Sequence, residues 1–256
     1  MHREVQGLFD NAKAQSASGK AMKAVFDALA KAFGQLTDAA VLRVFAKSIA
    51  LTLLIFVAFG ALLWWALDAA VNTWLVDHLP ADYAATLAGF AALALGLLAF
   101  WFLFRVVALA VLQFFADEIV AAVEAKHYPV KAEQARALPF REDLANSLRG
   151  AARALGANLL ALPVALVLLV TGVGPALVFL AVNAWLLGRE LTDMAWLRHR
   201  EGQDANPVPK RQRLILGGAV AALMAVPFAN LFAPVLGAAA GTHLAHRWIA
   251  RDGDAV

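Results

Sequence analysis

The sequence predicts an all-α integral membrane protein, made of two long transmembrane helices, two short helical hairpins and amphipathic interfacial helices. Three observations predict this class. The chain has 256 residues, 62% apolar and 16% charged, whereas soluble domains run at about 45–50% apolar and about 25% charged. Uncharged runs of helical length recur along it. Basic residues flank those runs and are missing from one polar loop. Too little polar surface remains to coat a soluble globule.

Composition also excludes functions. The net charge of +3 falls far short of the basic excess that displaces counterions from nucleic acid, so no nucleic-acid partner is expected. Cysteine is absent, which removes disulfides, thiolate metal sites and a cysteine nucleophile. The chain carries no phosphate-cradling Gly-Lys-Ser/Thr loop, no nucleophile elbow and no zinc-protease His-Glu pair. Neither an enzyme nor a cofactor is expected.

Residues 1–20, with Gln6, Asn11, Gln15, Ser16 and Ser18, are polar and small, so 1–25 reads as a loosely ordered cytoplasmic tail. Residues 26–251 read as one helical membrane domain. Phe26, Leu29, Phe33 and Leu36 share a helical face opposite Asp27 and Lys31, a pattern that suits the inner headgroup layer.

Ser48 to Leu67 carries no charge over 20 residues, roughly 30 Å of helix and one hydrocarbon thickness. It is the first transmembrane helix, about 44–67. It is not a signal peptide, because it starts far from the N-terminus and lacks a short polar leader. Thr86 to Phe104 is uncharged and its apolar character continues past Arg105 to Ala116, which gives the second, about 86–113. The intervening loop holds Asp68, Asp77 and Asp82 and no Lys or Arg. The positive-inside rule therefore places it outside, with the N-terminus in the cytoplasm of a bacterial inner membrane and Trp64, Trp65 and Trp74 near the outer interface.

The second half has shorter runs. Ala157–Thr171 and Pro175–Gly188 flank Gly172-Val173-Gly174 in a hairpin at about 156–188. Leu214–Ala229 and Leu231–Ala245 repeat the arrangement at about 214–246, with Pro227, Asn230 and Pro234 at the break. Arms of 14 to 16 residues reach only about 21–24 Å. Length therefore favours re-entrant hairpins, while the basic ends (Arg149, Arg153, Arg189, Arg213, Arg247) fit re-entrant and spanning hairpins alike. Before the first hairpin, Phe140, Leu144, Leu148 and Leu155 oppose Arg141, Asp143, Arg149 and Arg153 in a further amphipathic helix.

Several residues are candidates for chemistry, each with a plainer role beside it. Arg43 and Lys47 flank the inner end of the first helix; they anchor it, or form an electropositive mouth that gathers anions. Arg105, a charge inside an apolar run, is a functional candidate by its place in the membrane, and its plainer role is to snorkel to the inner headgroups at its depth. At the hairpin tips, a half-helix starting at membrane depth offers N–H groups and a positive dipole end, and Gly172, Gly174 and Asn230 let backbone approach a ligand. The same residues also make the turn a hairpin needs. His243 and His246 stand three apart without a carboxylate at ligand spacing, so they read as interfacial histidines and no metal is assigned. Gly237 and Gly241 mark a helix-packing face.

This layout resembles the CysZ sulfate-permease family and its relatives in the etoposide-induced membrane protein group. The most specific stretch is Val226-Pro227-Phe228-Ala229-Asn230-Leu231-Phe232-Ala233-Pro234-Val235, supported by Phe115 to Tyr128, Asn183-Ala184-Trp185 and Gly188-Arg189-Glu190. The resemblance covers roughly residues 26 to 248. It implies an inner-membrane helical homo-oligomer that admits sulfate. It further implies an anion site of two adjacent arginines at the start of the first long helix. Here Ala40-Val41-Leu42-Arg43 keeps Arg43 and replaces the other arginine by Leu42, and Lys47 lies one turn later.

The functional expectation is an anion (sulfate) permease, with Arg43, Lys47, Gly172, Gly174 and Asn230 as substrate-binding residues and the bilayer and further copies of the chain as partners. No pair of carboxylates lies within the spans, which favours channel-like flow over coupled pumping. The alternative is a non-transporting membrane scaffold or assembly factor.

Overall fold

The computed structural model describes residues 2–70, 116–200, 202 and 204–253 apart from Phe228, together with 90, 93–94, 96–98 and 100–101. Among the described residues all regular structure is helical, and the protein is an all-α membrane protein. Most of the second expected transmembrane helix and the acidic loop before it lie outside the described residues. The chain forms two compact units, Leu42–Phe115 and the remainder, Met1–Val41 with Ala116–Val256.

Helix α2 (Ala39–Ala70) supplies the described body of the smaller unit. Its 32 residues extend about 48 Å and contain the expected first span. Leu53, Leu54, Val57, Leu62, Trp64 and Trp65 all lie exposed, as helix side chains do when lipid is their solvent. Phe56 meets Phe100 with ring centroids 5.2 Å apart, and the described residues between 90 and 101 are helical.

The larger unit begins with α1 (His2–Gly34). The segment read as a loose tail is therefore part of a helix, which continues without a break into the packed residues Ala21, Ala24, Val25, Ala28 and Ala32. These small side chains recur every three or four residues, so α1 buries one narrow stripe and turns Phe26 and Phe33 outward. After residues 116–127 (α3) and the short α4 (Pro129–Gln134) comes α5 (Phe140–Val167), opened by Pro139 with Glu142 and Asp143 in its first turn. Acidic groups there complement the helix dipole.

The sequence divides this stretch into an interfacial helix and a separate short arm. The structure joins them in one helix that a 3-10 turn, Leu168–Thr171, extends. Gly150 and Gly156 stand in open space inside it and are tolerated there, costing only about 1 kcal/mol each relative to Ala. From Phe140 to Thr171 this element is long and apolar enough to cross a membrane.

The chain returns through α6 (Gly174–His199), then α7 (Lys210–Met224), a 3-10 turn at Ala229–Leu231, and α8 (Ala233–Gly253). Helix α6 packs against α5, α7 and α8, and α8 against α1. Glycine makes this closeness possible: a β-carbon at Gly217 would strike the carbonyl of Ala184, and one at Gly241 the carbonyl of Leu191. The Gly237–Gly241 face thus packs on α6 of the same chain. Small residues at helix crossings are the usual means of packing where lipid supplies no hydrophobic drive.

Candidate functional site

A turn at Gln35–Asp38 leads into α2: the Asp38 amide donates to Gln35 O at 2.9 Å, and its carboxylate pairs with Lys126 at 2.6 Å. Val41 and Val44 are buried, and helical phase then turns Arg43 and Lys47 to the exposed side, one turn apart. Leu42 is exposed as well.

The first hairpin turn closes at Gly172, whose φ of 71° favours glycine. The Thr171 hydroxyl donates to Leu168 O at 2.7 Å and accepts the Gly174 amide at 2.8 Å. Pro175 has no N–H, so two of the first α6 positions offer no free donor to a ligand. Around them Leu169, Val170 and Val173 are exposed, Val170 at 91%. At the second turn the Asn230 amide donates to Val226 O at 3.1 Å while its side chain stays exposed. The structure thus brings Gly172 to Gly174 and Arg43 to Lys47; the glycines and Asn230 belong to the larger unit and the two cations to the smaller.

A third constellation lies buried in the larger unit, on α3, α6 and α8. Glu124 is fully buried, which alone would make its charge costly. Its Oε1 accepts from His199 Nε2 at 2.8 Å and His246 Nε2 at 3.1 Å, and its Oε2 from Arg198 Nε at 3.0 Å. Burial pulls the Glu124 carboxyl upward, but the two imidazole hydrogen bonds and the Arg198 charge outweigh it and hold the group at about 2. The carboxylate is therefore ionised at neutral pH.

A second polar layer adjoins it. The Gln35 amide donates to His127 Nε2 at 2.8 Å and His243 Nε2 at 2.7 Å. One amide thus ties His127 on α3 to His243 on α8. His243 Nδ1 and the Tyr128 hydroxyl share a hydrogen bond of 2.8 Å. The Tyr128 ring stacks on His246, centroids 4.2 Å apart and planes 14° off parallel.

His243 and His246 are therefore core residues rather than interfacial ones, 4% and 3% exposed. The carboxylate missing at short spacing comes from Glu124, 122 residues away. Glu124, Arg198 and His199 were not legible as a group, since their contact exists only after three helices meet. The available signal was a matching rhythm, Glu124, His127 and Tyr128 at i, i+3 and i+4 and His243 and His246 at i and i+3, which puts these polar residues on one side of each stretch.

A family model described as sulfate transporter CysZ/etoposide-induced protein 2.4 matches residues 28–234, and the chain belongs to that family. No curated protein matches it.

Proposed function

We propose that this chain admits an inorganic anion such as sulfate across the bacterial inner membrane in a channel-like manner. The observation that carries the reading is the family match, which spans most of the chain. The exposed cations Arg43 and Lys47 on α2 support it, because two positive groups one turn apart at a helix end concentrate anions. In this reading they gather the substrate, while the turns at Gly172, Gly174 and Asn230 line its route. The N-terminus lies in the cytoplasm and copies of the chain associate in the bilayer.

The test is radiolabelled sulfate uptake into proteoliposomes, with Arg43→Ala and empty vesicles alongside. Removing one charge-assisted contact of about 1.5–3 kcal/mol should weaken anion affinity about tenfold or more. Uptake by the wild type that Arg43→Ala leaves unchanged overturns the assignment of Arg43. A second reading, a non-transporting scaffold or assembly factor, is favoured by Leu42 standing where the resemblance implies a second arginine. Folded protein that passes no anion above the empty control selects it.

A further inference from the structure

The geometry points to a metal site: Glu124, His199 and His246 form a binding site for a zinc-class divalent cation. Three donor atoms, Glu124 Oε1, His199 Nε2 and His246 Nε2, lie within 4.8 Å of one another. They come from three helices, α3, α6 and α8. Two imidazoles and one carboxylate are a zinc donor set that leaves a fourth position for water or a small anion.

The spacing suits an ion. Tetrahedral ligands with bonds of about 2.0–2.1 Å stand about 3.3 Å apart. Glu124 Oε1 lies 2.8 Å from one ring nitrogen and 3.1 Å from the other, so the oxygen needs to part from each by only a few tenths of an ångström, while the two ring nitrogens, within 4.8 Å of each other, would draw together around the ion. The ion would take the place of the two Nε2 protons that Glu124 Oε1 now accepts, each neutral ring then carrying its proton on Nδ1.

The surroundings hold these donors in place. Arg198 occupies Oε2, which leaves Oε1 as the single ligand atom of the carboxylate and fixes its plane, as outer-shell partners of metal ligands do. Tyr128 stacks on the His246 ring, and the His199 ring meets His246 edge-on at 4.8 Å between centroids. The side chains of Glu124, His199 and His246 are 0%, 4% and 2% exposed, so the ion would tie three helices together rather than face solvent. Borderline imidazole and carboxylate donors favour zinc over magnesium or calcium, which take oxygen ligands.

The experiment uses untagged, full-length protein in detergent, stripped with a chelator and titrated with zinc chloride. One zinc per chain is expected, and cobalt(II) in its place should give the visible absorption of a four-coordinate centre. Glu124→Gln and His246→Gln should each weaken zinc binding by at least about tenfold, whereas His127→Gln, outside the donor set, should leave it unchanged. Wild-type protein that takes up no zinc overturns the proposal, as does zinc binding indifferent to both ligand substitutions. If either variant fails to fold, X-ray absorption on the wild-type zinc protein decides: two imidazoles and one oxygen donor from the chain support the site, and any other imidazole count overturns it.

Discussion

Helices α5 and α8 sit in successive hairpins and are both rich in Ala, yet they meet opposite surroundings. None of the described side chains of α5 is buried, whereas from Val235 to His246 every residue of α8 is. The large side chains of α5, such as Leu159, Leu160 and Val167, point outward and serve the bilayer. Half of the α8 residues from Val235 to His246 are Ala or Gly, with Thr242, His243 and His246 among the rest, and they serve close approach and a polar network. Apolar composition alone thus says that a helix avoids water; residue size says whether lipid or protein replaces it.

The largest effect should come from emptying the polar network. Glu124→Ala leaves Arg198 without its carboxylate and the His199 and His246 donors without their acceptor. Breaking one partner of a buried ion pair costs about 3–5 kcal/mol. Thermal unfolding in detergent micelles should show a large drop in midpoint, and a midpoint equal to wild type would mean the network does not bind the three helices together.

Much of the fold was legible because it is written in runs. The span in α2, the turn at Gly172 and the packing role of Gly241 follow from apolar length, a glycine pair and small-residue spacing. The continuous α5 was missed because its pattern changes from amphipathic to apolar near Arg153, and a change of surroundings looks like a change of element. The helix around Phe26 and Phe33 was expected, but its extension back through residues 2–25 was missed for a related reason: polar residues at its start hide a stripe of alanines that becomes meaningful only once α8 lies against it. The buried cluster was the hardest to read, since Glu124 and His246 have no local relation. Arg43 and Lys47, by contrast, are adjacent turns of one helix and show their pairing in the sequence.

Next in size should be Leu244→Ala in α8. Leu244 is fully buried, and truncating such a side chain costs about 2–5 kcal/mol through lost contacts and the cavity left behind. A smaller effect is expected at the first hairpin turn. Gly172→Ala puts a β-carbon on a backbone with φ of 71°, at about 1–2 kcal/mol, with open space around it. The midpoint should fall modestly; an unchanged midpoint would mean that the turn relaxes to a different conformation.

The smallest effect completes the contrast because it repeats the Leu244 chemistry in the other setting. Leu160 on α5 is 79% exposed, so its side chain meets lipid or detergent before and after the helices associate. Cutting it to Ala removes little that folding had gained, and surface substitutions of this kind fall within about ±0.5 kcal/mol. Leu160→Ala should therefore unfold with the wild type while Leu244→Ala unfolds well before it. Equal losses at the two positions would mean that α5 is covered by protein in the assembled state. Cross-linking between single cysteines placed at position 160 of neighbouring copies would then identify the cover, because this chain has no cysteine of its own to confuse the result.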